Sequence, residues 1–150
     1  MHNFVLALAA SMFVTFAAVL FADDISAIPV AVPVVTGAET LVQVGAALPM
    51  QANTGKAYIR AWLAMTVGTG TTGITVRIYR GTSAAGVLLG PMITQVGTFT
   101  AGQVATFTAE ATDLLASVGA AQYCVTVQQT GAGGNGNVTA CTIETRILSG

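Results

Sequence analysis

A chain of 150 residues is one domain, or one domain with an arm, and here 53% of it is hydrophobic while only 7% is charged. Ordinary soluble domains carry about 25% charged residues, so this surface is covered by Thr, Ser, Gln, Asn, Gly and Ala, which suits a subunit packed among neighbours better than a free monomer. The formal net charge is −1, and the five basic residues Lys56, Arg60, Arg77, Arg80 and Arg146 are scattered, which excludes the basic stripe that direct nucleic-acid binding requires.

The first element is residues 4–22, FVLALAASMFVTFAAVLFA, with nothing more polar than Ser11 and Thr15. As a secretory signal it is poor: Met-His-Asn precedes it without Lys or Arg, the apolar stretch is long, and Leu20-Phe21-Ala22 is a weak cleavage site. As a helix, nineteen residues span about 28 Å, the thickness of bilayer hydrocarbon, so membrane contact through 4–22 is dimensionally allowed. The alternative is a helix or extended arm seated in a groove of neighbouring subunits, anchored by Phe4, Phe13, Phe16 and Phe21. Either way an apolar arm of this length drives association. The division is 1–24 as anchor or arm and 25–150 as a β domain.

From Ile25 onward the chain breaks into short Val/Ile/Thr-rich runs punctuated by Gly, Pro and Asn, the pattern of an all-β sandwich or barrel. Segment 26–35 contains Pro29 and Pro33, which cannot donate ladder hydrogen bonds, so it reads as an edge strand or extended arm. Strands are expected at 40–48, 58–67, 74–80, 86–89, 92–98, 104–109, 122–129 and 138–148. In 58–67, Ile59, Ala61, Leu63, Met65 and Val67 share one face and Tyr58, Arg60 and Trp62 the other, and either face is a candidate for the core. In 74–80, Ile74, Val76 and Ile78 point inward, and the glycine-rich 68–73 reads as a flexible hairpin loop between the two runs. Residues 113–117 read as one helical turn in a connection. The fold class is all-β: a jelly-roll or similar Greek-key β-sandwich of about eight strands, preceded by the apolar N-terminal helix or arm.

Cys124 and Cys141 lie symmetrically about the loop TGAGGNGN, residues 130–137. If the flanking strands form a hairpin, the two thiols oppose each other at disulfide distance. If those strands belong to different sheets, they are two separate buried thiols. Two cysteines without a nearby His or third Cys do not complete a tetrahedral metal set, so no metal or other cofactor is implied.

Catalytic chemistry is sparse. The sole histidine, His2, stands at the start of the chain, which excludes the usual Ser- and Cys-type triads. Glu110 and Asp113 form a carboxylate pair, but read more simply as a solvated loop with a turn-capping Asp. The 130–137 loop lacks the Lys-Ser/Thr ending of a phosphate cradle and reads as a mobile connection. Asn137-Val138-Thr139 is a short sequon of little weight. No enzyme is expected. Arg77, Tyr79 and Arg80, with Arg60, Tyr58 and Trp62 on a neighbouring run, are residue types that concentrate in interface hot spots. The plainer reading is aromatics filling the core and arginines snorkelling over sheet edges. Tyr123 reads as core.

The stretch GITVRIYRGTSAAGVLLG (73–90), with its Ile-x-Arg-Gly-Thr run, and the ending AQYCVTVQQTGAGGNGNVTACTIETRIL (121–148), with Tyr-x-x-Thr-Val before a glycine loop, resemble small β-sandwich structural proteins of bacteriophage virions. The resemblance covers about residues 40 to 148. It implies a jelly-roll capsid, decoration, fibre or spike subunit, a homo-oligomer packed with other coat proteins in the virion, and transfers no functional residue. The alternative is a cell-surface or extracellular protein, either a pilin-like filament subunit or an anchored sandwich that binds glycans.

Overall fold

The computed structural model describes residues 24–27, 31–50, 56–114 and 119–148. Within them run eleven strands: β1 (Asp24–Ala27), β2 (Val32–Val34), β3 (Glu39–Val44), β4 (Leu48–Met50), β5 (Lys56–Thr66), β6 (Thr71–Arg80), β7 (Val87–Val96), β8 (Val104–Asp113), β9 (Gly119–Ala121), β10 (Tyr123–Gly131) and β11 (Gly136–Leu148). The apolar segment 4–22, with Phe4, Phe13, Phe16 and Phe21, lies outside the described residues.

All pairings are antiparallel, and they nest. Around the 81–86 turn β6 pairs with β7; outward from it β5 pairs with β8, β4 with β9, β3 with β10, and β1 and β2 in succession with β11. The chain is thus one long two-stranded ribbon, and two further pairings, β11 with β5 and β10 with β6, roll it up. The result is two sheets, β1-β11-β5-β8 with β2 also on β11, and β3-β10-β6-β7; the small β4–β9 pair lies where the ribbon passes from one sheet to the other. Counting β1 and β2 as one interrupted strand and setting the β4–β9 pair aside, this is the eight-stranded, doubly Greek-key order of a jelly roll.

Alternation decides which faces meet. Ile59, Ala61, Leu63 and Met65 of β5 are at most 1% exposed, and opposite them Ile74, Val76 and Ile78 of β6 and Val125 and Val127 of β10 are at most 2%. Phe107 and Ile143 complete the inner face of the first sheet, Val42 and Tyr123 that of the second. The core is therefore on the Ile59 side of β5, and Trp62 stands outside. On β8 the alternation is unbroken over ten residues, its inner positions filled by Ala105, Phe107, Ala109 and Ala111. The three alanines leave room for β7 to approach: at Gly90, with φ +64°, a Cβ would stand 3.2 Å from that of Ala111.

Because the ribbon rolls, β5 and β6 lie in different sheets, and so do β10 and β11. Segment 67–70 is consequently an inter-sheet crossing, not a hairpin loop. It packs backbone to backbone on the crossing at 132–135, which is not the free connection its composition suggests. A Cβ on Gly133 would fall 1.7 Å from the Thr69 carbonyl oxygen, and one on Gly68 1.9 Å from that of Gly134. The buried Gln129 side chain fastens this end: its Nε2 donates to Thr36 Oγ1 at 2.9 Å and to the Gly134 carbonyl at 2.8 Å, and its Oε1 accepts from the Gly68 amide at 3.3 Å. Single expected strands also differ in extent. The 86–89 and 92–98 runs are one strand, β7, with extra residues at Gly90-Pro91 opposite the register break between Val76 and Ile78. Asp113 ends β8, and the remainder of the helical turn expected at 113–117 falls largely outside the described residues.

Gly133→Ala is expected to destabilise the fold by about 3 kcal/mol, since neither crossing can move without the other. Gly97→Ala, where a Cβ meets nothing within 4 Å, should stay within about 0.5 kcal/mol of wild type. Urea unfolding of both variants measures the difference.

Candidate functional site

The outward side of β11-β5-β8 is built in transverse rows by register. Arg146, Tyr58 and Thr112 form one row; Glu144, Arg60 and Glu110 the next; Thr142, Trp62 and Thr108 the third. Arg60 is thus flanked by two carboxylates, and its Nε lies 3.5 Å from Glu110 Oε1, both side chains being half exposed. Such a pair contributes at most about 1 kcal/mol. Arg146 donates through Nε to Glu144 Oε1 at 2.8 Å. The neighbouring Glu110 carboxylate is the main reason the Tyr58 pKa lies above the usual phenol value. Trp62, 42% exposed, stands over an open hollow of about 300 Å³ lined by Arg60, Thr142 and Glu144.

On the opposite outer face, that of β3-β10-β6-β7, Glu39 is a hub. Its Oε1 accepts from the Tyr79 hydroxyl at 3.0 Å and from Thr126 Oγ1, and lies 3.5 Å from Arg77 Nη1. Arg77 is further held by Gln128 Oε1 at 3.0 Å and Met92 Sδ at 3.1 Å. Since β10 lies between β3 and β6, the Tyr79 ring must cross β10 to reach Glu39. It thereby roofs its register partner Cys124, which is 0% exposed although it points away from the core.

Arg80 leaves this face altogether. Its Nη1 contacts both oxygens of Asp113 at 3.3 Å, and Tyr123 Oη donates to Asp113 Oδ2 at 3.2 Å. Asp113, 1% exposed, is therefore a buried carboxylate tying β8 in one sheet to β6 and β10 in the other. It is not a solvated turn cap. Glu110 and Asp113, three residues apart on one strand, face opposite sides of the sheet, so they do not make a carboxylate pair. The Tyr123 pKa is raised, by burial first and by the Asp113 charge second.

The two cysteines are free and buried. Cys141 lies in the inter-sheet core on β11, Cys124 on the outer side of β10 under Tyr79; the sheet change between the two strands separates the thiols, and the disulfide is not made. Burial pushes the Cys141 thiol up to about 12, and burial followed by the Glu39 charge raises Cys124. Asn137 of the sequon is half-buried within β11, paired opposite Pro33 and Thr66. Among the described residues no group of three His, Cys, Asp or Glu side chains converges as a metal site, and no helix is long and apolar enough to cross a membrane.

The structure thus separates Arg60, with Tyr58 and Trp62, from Arg77 and Tyr79 by the full thickness of the sandwich, and turns Arg80 inward. Sequence reading missed Glu39, Gln129 and the buried role of Asp113. Only Asp113 left a trace, in falling on the inner parity of Ala105, Phe107, Ala109 and Ala111.

A third surface is apolar. β7 and β8 are the outer strands of their sheets on the same side of the sandwich. Val96 (80% exposed) and Val104 stand at the end of this rim where the 97–103 connection turns, Val87 and Leu114 at the other, with Leu88 and Met92 along β7.

Arg80→Met takes the guanidinium away from the buried Asp113 carboxylate and is expected to destabilise by about 3–5 kcal/mol; Tyr123→Phe, which deletes one hydrogen bond to a charge, should lose about 1.5–3 kcal/mol. Chemical denaturation at neutral pH separates the two. The thiols carry a pH prediction. Cys141 ionises near the ordinary thiol value of 9.0 when unfolded and at about 12 when folded, so the unfolded chain binds fewer protons between these values. Stability is then full below about pH 9 and falls with rising pH by up to about 1.4 kcal/mol per unit from this group. Cys141→Ala should flatten that slope in denaturation series from pH 8 to 11.

No protein family matches the chain, and no curated protein does. Among solved structures it is similar to a chain from the disulfide-linked pili of Bacillus endospore appendages, with 20% identity and a TM-score of 0.40 over 85% of this chain and 91% of that one. It is also similar to a chain of infectious bursal disease virus, Gx strain, with 12% identity and a TM-score of 0.49 over 85% of this chain and 32% of that one. The chain spans about a third of the length of the virus chain, and both likenesses are of fold alone.

Proposed function

We propose that this chain is a non-enzymatic structural subunit of a virus particle, a jelly-roll coat, decoration or spike component that packs with copies of itself and with other coat subunits. The observation that carries the reading is the apolar rim. Val87, Leu88, Met92, Val96, Val104 and Leu114 are each at least 43% exposed, on a chain whose 7% charge gives it little protection from association. Such side chains gain about 25 cal/mol per Å² when a neighbour covers them. Strand addition along β7 is blocked by Pro91, which has no amide hydrogen, and by the irregular register at Gly90-Pro91. The contact is therefore packing of side chains.

The reading as non-catalytic is supported by the placement of the reactive groups: both thiols are buried with raised pKa values, and the two carboxylates of β8 lie on opposite faces of the sheet. The apolar 4–22 segment supplies a tether in this reading. That same segment ahead of a β domain also favours a second reading, a filament subunit at a cell surface, and a location outside the cell is common to both.

Sedimentation velocity of the full chain tests the assembly. Wild type is expected to form discrete oligomers, and Val96→Asp combined with Val87→Asp, both at exposed positions, should shift them to smaller species without lowering Tm. An unchanged oligomer distribution in the variant would remove the rim from the interface.

A further inference from the structure

The Trp62 hollow has no part in the rim. A Trp side chain buries some 150–250 Å² when it is used for packing, yet Trp62 holds the centre of β5 at 42% exposure while the opposite face of the same strand supplies the core. Of the chain's five basic and six acidic residues, two of each, Arg60, Arg146, Glu110 and Glu144, stand on this one sheet face. Arg146 occupies Glu144 Oε1, which leaves Oε2 as an acceptor. Arg60 meets Glu110 through Nε, which leaves its Nη groups as donors. An aromatic plane, donors, acceptors and the Thr142 hydroxyl therefore border about 300 Å³ of open space, at the lower end of ligand-site volumes.

The chemistry selects among ligand classes. A cation attracted to the indole face meets the Arg60 guanidinium beside it, and an anion drawn to Arg60 meets Glu110 and Glu144 on either side. A purely apolar ligand would desolvate Arg60 and Glu144 without giving them partners, which costs about 1–3 kcal/mol per group. A neutral ring with an apolar C–H face and a rim of hydroxyls meets all the requirements. We infer that the outer face of β11-β5-β8 binds a neutral saccharide, with one sugar ring stacked on Trp62 and its hydroxyls bonded by Arg60, Glu144 and Thr142.

The platform is preorganised, because β5 is paired along its length to β11 on one side and β8 on the other. The shallow hollow holds one ring and leaves the rest of a glycan in solvent, so affinity for a single site is expected around the millimolar level. Copies arrayed in an assembly would raise it by avidity.

Trp62 is the sole tryptophan of the chain, so its intrinsic fluorescence reports on this site and no other. The full chain is titrated to about 50 mM with neutral mono- and trisaccharides of glucose, galactose, mannose and N-acetylglucosamine. A saturable emission shift with at least one of them is expected, with Kd raised about tenfold or more in Arg60→Ala and in Glu144→Ala, both of which keep Trp62 as the reporter. Three results would overturn the inference: no saturable shift with any sugar, a Kd unaltered in both variants, or an emission shift that follows protein concentration alone, which would make this face a contact between copies.

Discussion

Nested pairing about the 81–86 turn is the constraint from which the rest of this molecule follows. With β6 on β7, β5 on β8, β3 on β10 and β1 and β2 on β11, the chain is a single ribbon whose two strands are tied at every level. Rolling it so that β11 meets β5 and β10 meets β6 buries one side of the ribbon against itself. That burial is the main stabilising term, because few charges and hydrogen-bonded side chains remain to supply another. It also fixes a rule of position: strands adjacent in sequence tend to face each other across the core instead of pairing side by side.

The crossings that this rule demands explain where the polar residues went. At one end the 67–70 and 132–135 segments cross between sheets in contact, at a distance only glycine allows, and Gln129 satisfies the amide and carbonyl groups left there. At the other end Asp113 joins Arg80 and Tyr123 across the two sheets. A buried ion pair is weak as a source of net stability, since desolvation offsets most of its attraction. Its effect is on register, because sliding β8 by one residue would turn Asp113 out to solvent and leave Tyr123 without its acceptor.

This division also accounts for what could be read from the sequence. Face alternation is a local property, so the inward side of β6 was plain in the order of residues and about eight such runs point to a sandwich, whereas β8 was read only as far as Ala109 although its alternation continues to Asp113. Partner choice is not local. Cys124 and Cys141 are symmetric about a glycine loop whether the flanking strands pair or part, and only the rolling of the ribbon separates them. The same ambiguity hid the separation of Arg60 from Arg77. Glycine composition was equally silent on whether 68–73 and 130–137 are free connections or the tightest backbone contacts in the fold. The Asp113 position did carry a signal, its parity with Ala109 and Ala111, which was outweighed by the expectation that a carboxylate is solvated.

Three exterior surfaces remain once the core is closed, and they differ in kind. The Glu39 face engages its polar groups internally, since Tyr79 and Thr126 bond Glu39, and Arg77 bonds Gln128 and pairs with Glu39, so it offers a partner little but shape. The β7–β8 rim offers apolar area without charge. The Trp62 face offers both an aromatic plane and open donors and acceptors. Contacts made by the first two depend on burial and close fit, so they should be nearly indifferent to ionic strength and carry the negative heat-capacity change of apolar association. Recognition of a polar ligand is left to the third, where Arg60, Glu110 and Arg146 are half exposed. A subunit built this way can pack through its rim while keeping that face free, because the two surfaces share a sheet edge but draw on no common side chain.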